Sequence, residues 1–423
     1  MAIIGRPKAT LVVTDEEAHV PIASDAPRSR PSPHTMCGRE LAHLLSLTVL
    51  AVALGCATIV DDPDGGAALD DAGALFDAGS RFDAGSTEDA GVTSDGGARD
   101  DAGSVDAGLL DDGGSATCAP LPTGVTEGST GAPPSGTPIP QRRVVLMGGS
   151  VEVDDAAERF ASGAGGGEVL VLRASGSVTS YTSYFASELS PTPAPALVTT
   201  LRLDDALAGA SLAVLCRVAR AHAVWLPGGD QWDYLGRWPA PLHTALADAT
   251  TRGVPFGGTS AGAMSLGAIA FDAALGTFTS TEALATPTAA VITLSTPTFA
   301  QPELADFVVD THFSERDREG RMLVLLAHAR ALTGAAVVYG IGLDERAALV
   351  IENGTFDVHT GAIGRRVLLY AFAGEATVVV GQAFSATGIV RRTLEHGATG
   401  TWPPDFVDAI ALAVDEGVIT VEP

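Results

Sequence analysis

Four short apolar runs, each stopping at a glycine-rich turn, set the strongest limit on how this chain can fold. They are Val144-Val145-Leu146-Met147 before Gly148-Gly149, Val169-Leu170-Val171-Leu172 before Ala174-Ser175-Gly176, Ala223-Val224-Trp225-Leu226 before Pro227-Gly228-Gly229-Asp230, and Val254-Pro255-Phe256-Gly257 before Gly258. A strand that is apolar at every position is buried on both faces, the habit of parallel sheets covered by helices. Helix-like stretches lie between the runs, for example 239–251, and 261–270 reads as a helix of small residues. Further strands are expected at 306–310, 337–343, 347–352 and 366–371. The alternation predicts an α/β fold with a mostly parallel sheet flanked by helices. In such a sheet the functional site lies at the carboxyl ends of the strands. Three glycine turns fall there, at 148–149, 228–229 and 257–258.

One of these turns carries chemistry. Gly258-Thr259-Ser260-Ala261-Gly262 follows an apolar strand and precedes a helix, the context a G-x-S-x-G nucleophile elbow requires. Its small residues permit the sharp turn, and the first helical amides lie near the charge that develops on an attacked carbonyl. Taken alone, the pattern also describes a glycine turn with a bystander serine. A nucleophilic serine needs a base and an acid that orients it. Of the later histidines, His328 falls in a helix-like stretch, His359 in a hairpin turn and His396 in a polar loop. His312 closes the apolar run Phe307-Val308-Val309-Asp310, and strand-end placement selects it. Gly340-Ile341-Gly342-Leu343-Asp344-Glu345 sets two carboxylates at another strand end. The order Ser260, His312, Glu345 departs from ordinary α/β-hydrolases, in which the acid precedes the histidine.

Four motifs together resemble the cyanophycinase family: Pro227-Gly228-Gly229-Asp230-Gln231, Gly258 to Ala263, Asp310-Thr311-His312-Phe313 followed by Arg316, Arg318 and Arg321, and Gly340 to Glu345. Thr279-Ser280-Thr281-Glu282-Ala283-Leu284 is similar to that family's segment after the elbow, and the resemblance spans roughly residues 142–380. These are serine peptidases related to aspartyl dipeptidase, with a glutamine-amidotransferase-like (flavodoxin-like) sandwich. The resemblance implies Ser260 as nucleophile, His312 as base and Glu345 as orienting acid, with Asp344 the alternative acid. It implies an oxyanion hole from the amides of Gly229 and Ala261. Substrate contacts would come from Gln231, Asp310, Arg316, Arg318 and Arg321. The arginines would grip aspartyl carboxylates and Asp310 would face a substrate arginine. The run Arg316-Asp317-Arg318-Glu319 also fits a solvated charge cluster at a helix start. The implied reaction is hydrolysis of β-aspartyl-arginine bonds in a cyanophycin-like polymer. A dipeptidase for N-terminal aspartyl peptides and an inactive surface binding module are the alternatives. The family carries Gln where this chain has Thr311. No cofactor is implied, and no Cys/His spacing suggests a metal.

The N-terminal part reads as an address and a tether. Residues 41–55 are apolar but short of the ~20 residues of a membrane span, and they end in small residues before Cys56. Ala53-Leu54-Gly55-Cys56 resembles a bacterial lipobox, which would make Cys56 a lipidated first residue. With a start at Met36, residues 36–55 are a signal peptide and 1–35 an upstream extension. Residues 56–118 hold fifteen Asp and Glu against two Arg, a net of −13 and half the chain's −26. Their Asp-Ala-Gly repeats, at Asp71, Asp77, Asp83, Asp89 and Asp101, bury nothing. Residues 56–140 are therefore expected to be a disordered tether and 141–423 the peptidase domain. A chain this acidic, without a basic stripe, is not expected to bind nucleic acid. The expected partners are a peptide or polymer substrate and a membrane reached only through Cys56; a homodimer stays open. Cys118 and Cys216 are either an exported protein's disulfide or two separate thiols.

Overall fold

The computed structural model of the chain describes residues 118–423. The expected extension (1–35) and signal peptide (36–55), Cys56 and the Asp-Ala-Gly repeats lie outside the described residues. From the start, β1 (Val125–Gly131) and β2 (Arg143–Met147) precede α1 (Asp154–Ser162), β3 (Glu168–Arg173), the short α2 (Ser180–Ser183) and β4 (Leu197–Leu203). Next come α3 (Leu212–Arg220), β5 (Ala223–Leu226), α4 (Ala240–Thr251), β6 (Phe256–Thr259) and α5 (Ala261–Met264). A small hairpin of β7 (Ala270–Phe271) and β8 (Leu294–Ser295) brackets α6 (Ser280–Ala285). Then β9 (Phe307–Thr311) and β10 (Val338–Leu343) pair in parallel across α7 (Glu319–Thr333). The chain closes with β11 (Ala347–Glu352), β12 (Thr355–Thr360), β13 (Val367–Phe372), β14 (Ala376–Thr377), β15 (Ser385–Leu394), β16 (Thr399–Thr401), β17 (Ile410–Asp415) and β18 (Val418–Val421).

These strands build two large sheets, ordered β1-β4-β3-β5-β6-β2-β11-β12-β16 and β18-β17-β15-β13-β10-β9. Among the described residues, parallel strand pairing runs through β4-β3-β5-β6-β2 and joins β9 to β10, with one isolated parallel bridge between Ile269 and Val308. The fold is thus a mixed α/β one, which corrects the mostly parallel sheet expected above. After β10 the connections become too short for the crossovers that parallel neighbours need, so hairpins make antiparallel pairs. Asn353-Gly354 joins β11 to β12 and Glu416-Gly417 joins β17 to β18, all four residues at the positive φ of a tight hairpin turn.

The parallel centre is as apolar as its sequence requires: every residue of β2, β3, β5 and β6 is buried. Helix α7 is buried from Gly320 to Ala327 and ends on Gly334 in the left-handed conformation at φ 66°. Helix α6 starts with a reciprocal cap between Thr279 and Glu282, as the Thr-x-x-Glu spacing favours.

Three local expectations are corrected. The stretch 119–140 is not all linker. β1 pairs along its whole length with β4, and Cys118 is disulfide-bonded to Cys216 in α3. The small-residue helix after Ser260 stops at Met264 rather than running to 270, because the chain must turn there to reach the β7–β8 hairpin. His359 lies within β12, not in a turn.

Register brings the glycine turns together. Met147 of β2 pairs with Thr259 of β6, and Leu226 of β5 with Gly258. The carboxyl ends of β5, β6 and β2 therefore lie side by side, with Pro227-Gly228-Gly229, Ser260 and Gly148-Gly149 leaving them.

Candidate active site

Ser260 sits in the turn between β6 and α5 at φ 50° and ψ −123°, a conformation that side-chain-bearing residues seldom adopt. The flanking glycines are required by space. A Cβ at Gly262 would stand 1.9 Å from the Leu226 carbonyl oxygen, and one at Gly258 would stand 2.7 Å from it. Ser260 Oγ is 2.8 Å from His312 Nε2, and His312 Nδ1 is 2.8 Å from Glu345 Oε1. Glu345 accepts from Nδ1–H, so Nε2 carries the lone pair that can take the serine proton.

The three residues come from different parts of the fold. Ser260 follows β6 in the first sheet and His312 follows β9 in the second. Glu345 lies in the short link by which the chain leaves β10 for β11 of the first sheet. What joins them is the end of β2. The carbonyls of Met147, Gly148 and Gly149 accept in turn from the backbone N–H of Ser260 (3.0 Å), His312 (2.9 Å) and Arg346 (3.1 Å). Gly149, at φ 100°, also lies against the imidazole, where an added Cβ would stand 2.4 Å from His312 Cε1. Sequence reading marked 148–149 only as a strand-end turn. Nothing local shows that this strand end holds Ser260, His312 and the residue after Glu345.

Electrostatics suit a base. Burial lowers the His312 pKa below its ordinary value; Arg316 and Arg318 act in the same direction and Glu345 opposes them. The imidazole is therefore neutral at neutral pH. Burial alone would raise Glu345, but the His312 hydrogen bond and the charges of His312, Arg316 and Arg365 outweigh it and keep the carboxyl below the usual range. The alternative acid, Asp344, faces elsewhere: its carboxylate accepts from the backbone N–H of Ser314 (3.0 Å) and Arg366 (3.1 Å). Glu315, unmarked in the sequence, accepts from Glu345 N–H at 3.0 Å and pairs with Arg365.

Most of the charged residues expected in the substrate pocket are engaged with one another. Asp310 is 0% exposed and Arg321 1% exposed. The Asp310 carboxylate accepts from Arg321 Nε (2.9 Å) and Nη2 (2.6 Å), from Arg318 Nη1 (2.8 Å) and from Thr311 N–H (2.9 Å). Burial opposes its ionisation, yet Arg321 and Arg318 hold its pKa below the ordinary value. Arg318 also donates to the Thr311 carbonyl at 2.7 Å, and the Arg321 guanidinium lies over the rings of Phe271 and Phe278. Burial pulls Arg318 down to about 10, which leaves it cationic at neutral pH. Neither arginine is free to grip a carboxylate, nor Asp310 to face a substrate arginine. The reason is that α7 packs onto β9 and buries this face of the turn. Arg316 alone of the group is exposed, and it lies close enough to act on both His312 and Glu345. Thr311 is fully buried.

The loop after β5 carries the remaining expected residues. Gly228 is nearest the nucleophile, where an added Cβ would stand 3.4 Å from Ser260 Cβ. Gly229 is exposed and Gln231 half-buried. Tyr234 OH donates to the Pro227 carbonyl at 2.9 Å and ties the loop down. Ala261 opens α5, where the first amides have no acceptor within the helix.

No family model and no curated protein matches the chain. Among solved structures, a peptidase from an acI-B1 actinobacterium is 16% identical, with a TM-score of 0.42, over 62% of this chain and 97% of that one. A putative peptidase E protein from Listeria monocytogenes EGD-e is 14% identical, with a TM-score of 0.36, over 52% of this chain and 99% of that one. A likeness this distant assigns the chain no activity.

Proposed function

We propose that the chain is a serine-type peptidase that hydrolyses bonds beside aspartyl units through an acyl-enzyme. We take the β-aspartyl-arginine bonds of cyanophycin-like polymers as its substrate class. The observation that carries the reading is the run of two 2.8 Å hydrogen bonds from Ser260 through His312 to Glu345. As Ser260 Oγ attacks the carbonyl, its proton passes to His312 Nε2, and Glu345 stabilises the imidazolium. The amides of Gly229 and Ala261 would receive the oxyanion, each such donor being worth about 3 kcal/mol of barrier. His312 then gives the proton to the leaving amine, and water releases the acyl group by the reverse route. The turn at Ser260 acts in this reading as the nucleophile elbow of a glutamine-amidotransferase-like sandwich.

The aspartyl substrate rests on the motif resemblance and on Arg316, an exposed cation beside the base. Arg316, the one arginine of the 316–321 run without an ion pair among the described residues, fits one carboxylate as well as a polymer, which favours the dipeptidase as the second reading. The Cys118–Cys216 disulfide supports an exported protein, since such bonds persist outside the reducing cytosol.

The test pairs a fluorophosphonate probe with product analysis. The wild-type chain is expected to take the label and Ser260→Ala to lose it; an unlabelled wild type would end the serine-hydrolase reading. Insoluble cyanophycin and aspartyl dipeptides, incubated separately, are expected to yield cleaved products, with Arg316→Ala raising KM. Labelled protein that cleaves neither would leave the hydrolase standing and remove the substrate. Recovery of all labelled protein in the cytosol would contradict export.

A further inference from the structure

Glu345 has to keep its carboxylate on His312 among cations that compete for it. Its side chain is 27% exposed, Oε1 accepts from His312 Nδ1, and Arg316 and Arg365 both act on its charge. Arg365 lies half-buried in the link between β12 and β13. A guanidinium meets a carboxylate through two parallel donors, so an Arg365 left to itself would be drawn to Glu345. The other acid of that strand link, Asp344, is taken: it is buried, it accepts from the N–H groups of Ser314 and Arg366, and it faces the Arg366 guanidinium. What holds Arg365 is Glu315. One oxygen of the Glu315 carboxylate accepts from Arg365 Nη1, and the other accepts from the Glu345 backbone N–H at 3.0 Å.

Charge, not shape, is what this position requires. The Glu345 amide needs only a carbonyl oxygen, which a glutamine at 315 supplies as well. Only a carboxylate also binds the guanidinium strongly. We propose that Glu315 is a positioning residue that holds Arg365 off the Glu345 carboxylate and so leaves that carboxylate to His312. Its kinetic consequence rests on the serine-hydrolase reading, while the His312–Glu345 bond itself can be read without turnover. The groups facing Glu345 are His312, Arg316, Arg365 and Glu315, and those acting on His312 are Glu345, Arg316 and Arg318. Arg318 is bound to Asp310 and does not compete. Once Arg365 takes the Glu345 carboxylate, the charge that raises His312 is neutralised, and the imidazole pKa falls.

The experiment follows the His312 Nδ1 proton and the imidazole titration by NMR in the full chain, together with the rate of fluorophosphonate labelling. Glu315→Gln is expected to move the Nδ1 proton upfield and lower the imidazole pKa. It should slow labelling by roughly tenfold or more, part of the about 10³–10⁴-fold that loss of an orienting acid costs. Arg365→Gln alone is expected to leave all three readouts near wild type. Combining Glu315→Gln with Arg365→Gln is expected to restore them, the non-additivity that marks coupled residues. A residue that only braced the backbone would give no such rescue. Wild-type signals in Glu315→Gln, a double variant no better than the single one, or rescue by Arg316→Gln instead would each overturn the proposal. So would a Glu315→Gln chain that does not fold, which would make Glu315 a structural brace. The expected NMR changes with no labelling of any chain would leave the positioning role standing and end the serine-hydrolase reading. Labelling of every chain at one rate, with unmoved NMR signals, would do the reverse.

Discussion

Asp310→Asn decides whether the residues before the base hold substrate or hold the protein. The carboxylate is fully buried and accepts three hydrogen bonds from Arg318 and Arg321 and one from the backbone. Asn keeps the shape but presents an NH2 group to a guanidinium, leaving two buried cations short of a countercharge. Removing one partner of a buried ion pair costs about 3–5 kcal/mol. At roughly 2 °C per kcal/mol for a domain of this size, the midpoint should fall by roughly 6–10 °C. Scanning calorimetry at neutral pH measures it. The sign with pH follows from the depressed Asp310 pKa. Its contribution is fully present above the ordinary Asp value and is lost as pH falls through the lower folded-state value. The gap between wild type and variant should therefore close in acid. kcat should fall as well, because Asp310 anchors the strand end two residues before His312, which sits at φ 48°. An unchanged midpoint with a raised KM would refute this and return Asp310 to the substrate pocket.

Three other perturbations probe the same framework. Glu345→Gln should lower kcat by about 10³–10⁴-fold, as loss of the orienting charge does in related triads. Wild-type kcat/KM should have its acid limb below the ordinary imidazole value of 6.5, and Glu345→Gln should move it lower still, because Glu345 raises His312; a limb moving upward would contradict the assignment. Gly149→Ala should cost about 10²-fold in kcat with less effect on KM, since the new methyl meets the imidazole and a displacement near 1 Å is that expensive; full activity would show that the ring is not packed there. Cys118→Ser opens a loop spanning 98 residues and should destabilise by about 2–5 kcal/mol, so superimposable unfolding curves with and without reductant would mean the bond does not form.

The legible parts of the fold are those where local chemistry had one solution. β2, β3 and β5 are buried on both faces, so their apolar runs stand out in the sequence. β1 does not: Val-Thr-Glu-Gly-Ser-Thr-Gly has a linker's composition, and only its pairing with β4 and the nearby disulfide make it a strand. β15 is hidden for another reason, since a bulge between Ala386 and Ile389 breaks the alternation that marks a half-buried strand.

The site divides along the same line. Ser260, His312 and Glu345 stood out in the sequence because a serine, a histidine and a carboxylate each lay beside a strand end or a glycine turn, and the structure joins them in one hydrogen-bonded run. Their assembly was not readable, because it depends on three successive carbonyls, of Met147 at the end of β2 and of Gly148 and Gly149 beyond it, and on a strand link that passes from one sheet to the other. The arginine run shows the limit most sharply. Its charge pattern is a property of the sequence, and it predicted anion contacts. Which anion each arginine meets is a property of burial: α7 closes over Asp310, where an unpaired carboxylate is too costly to keep, so Arg318 and Arg321 turn inward and Arg316 alone is left facing solvent beside the base.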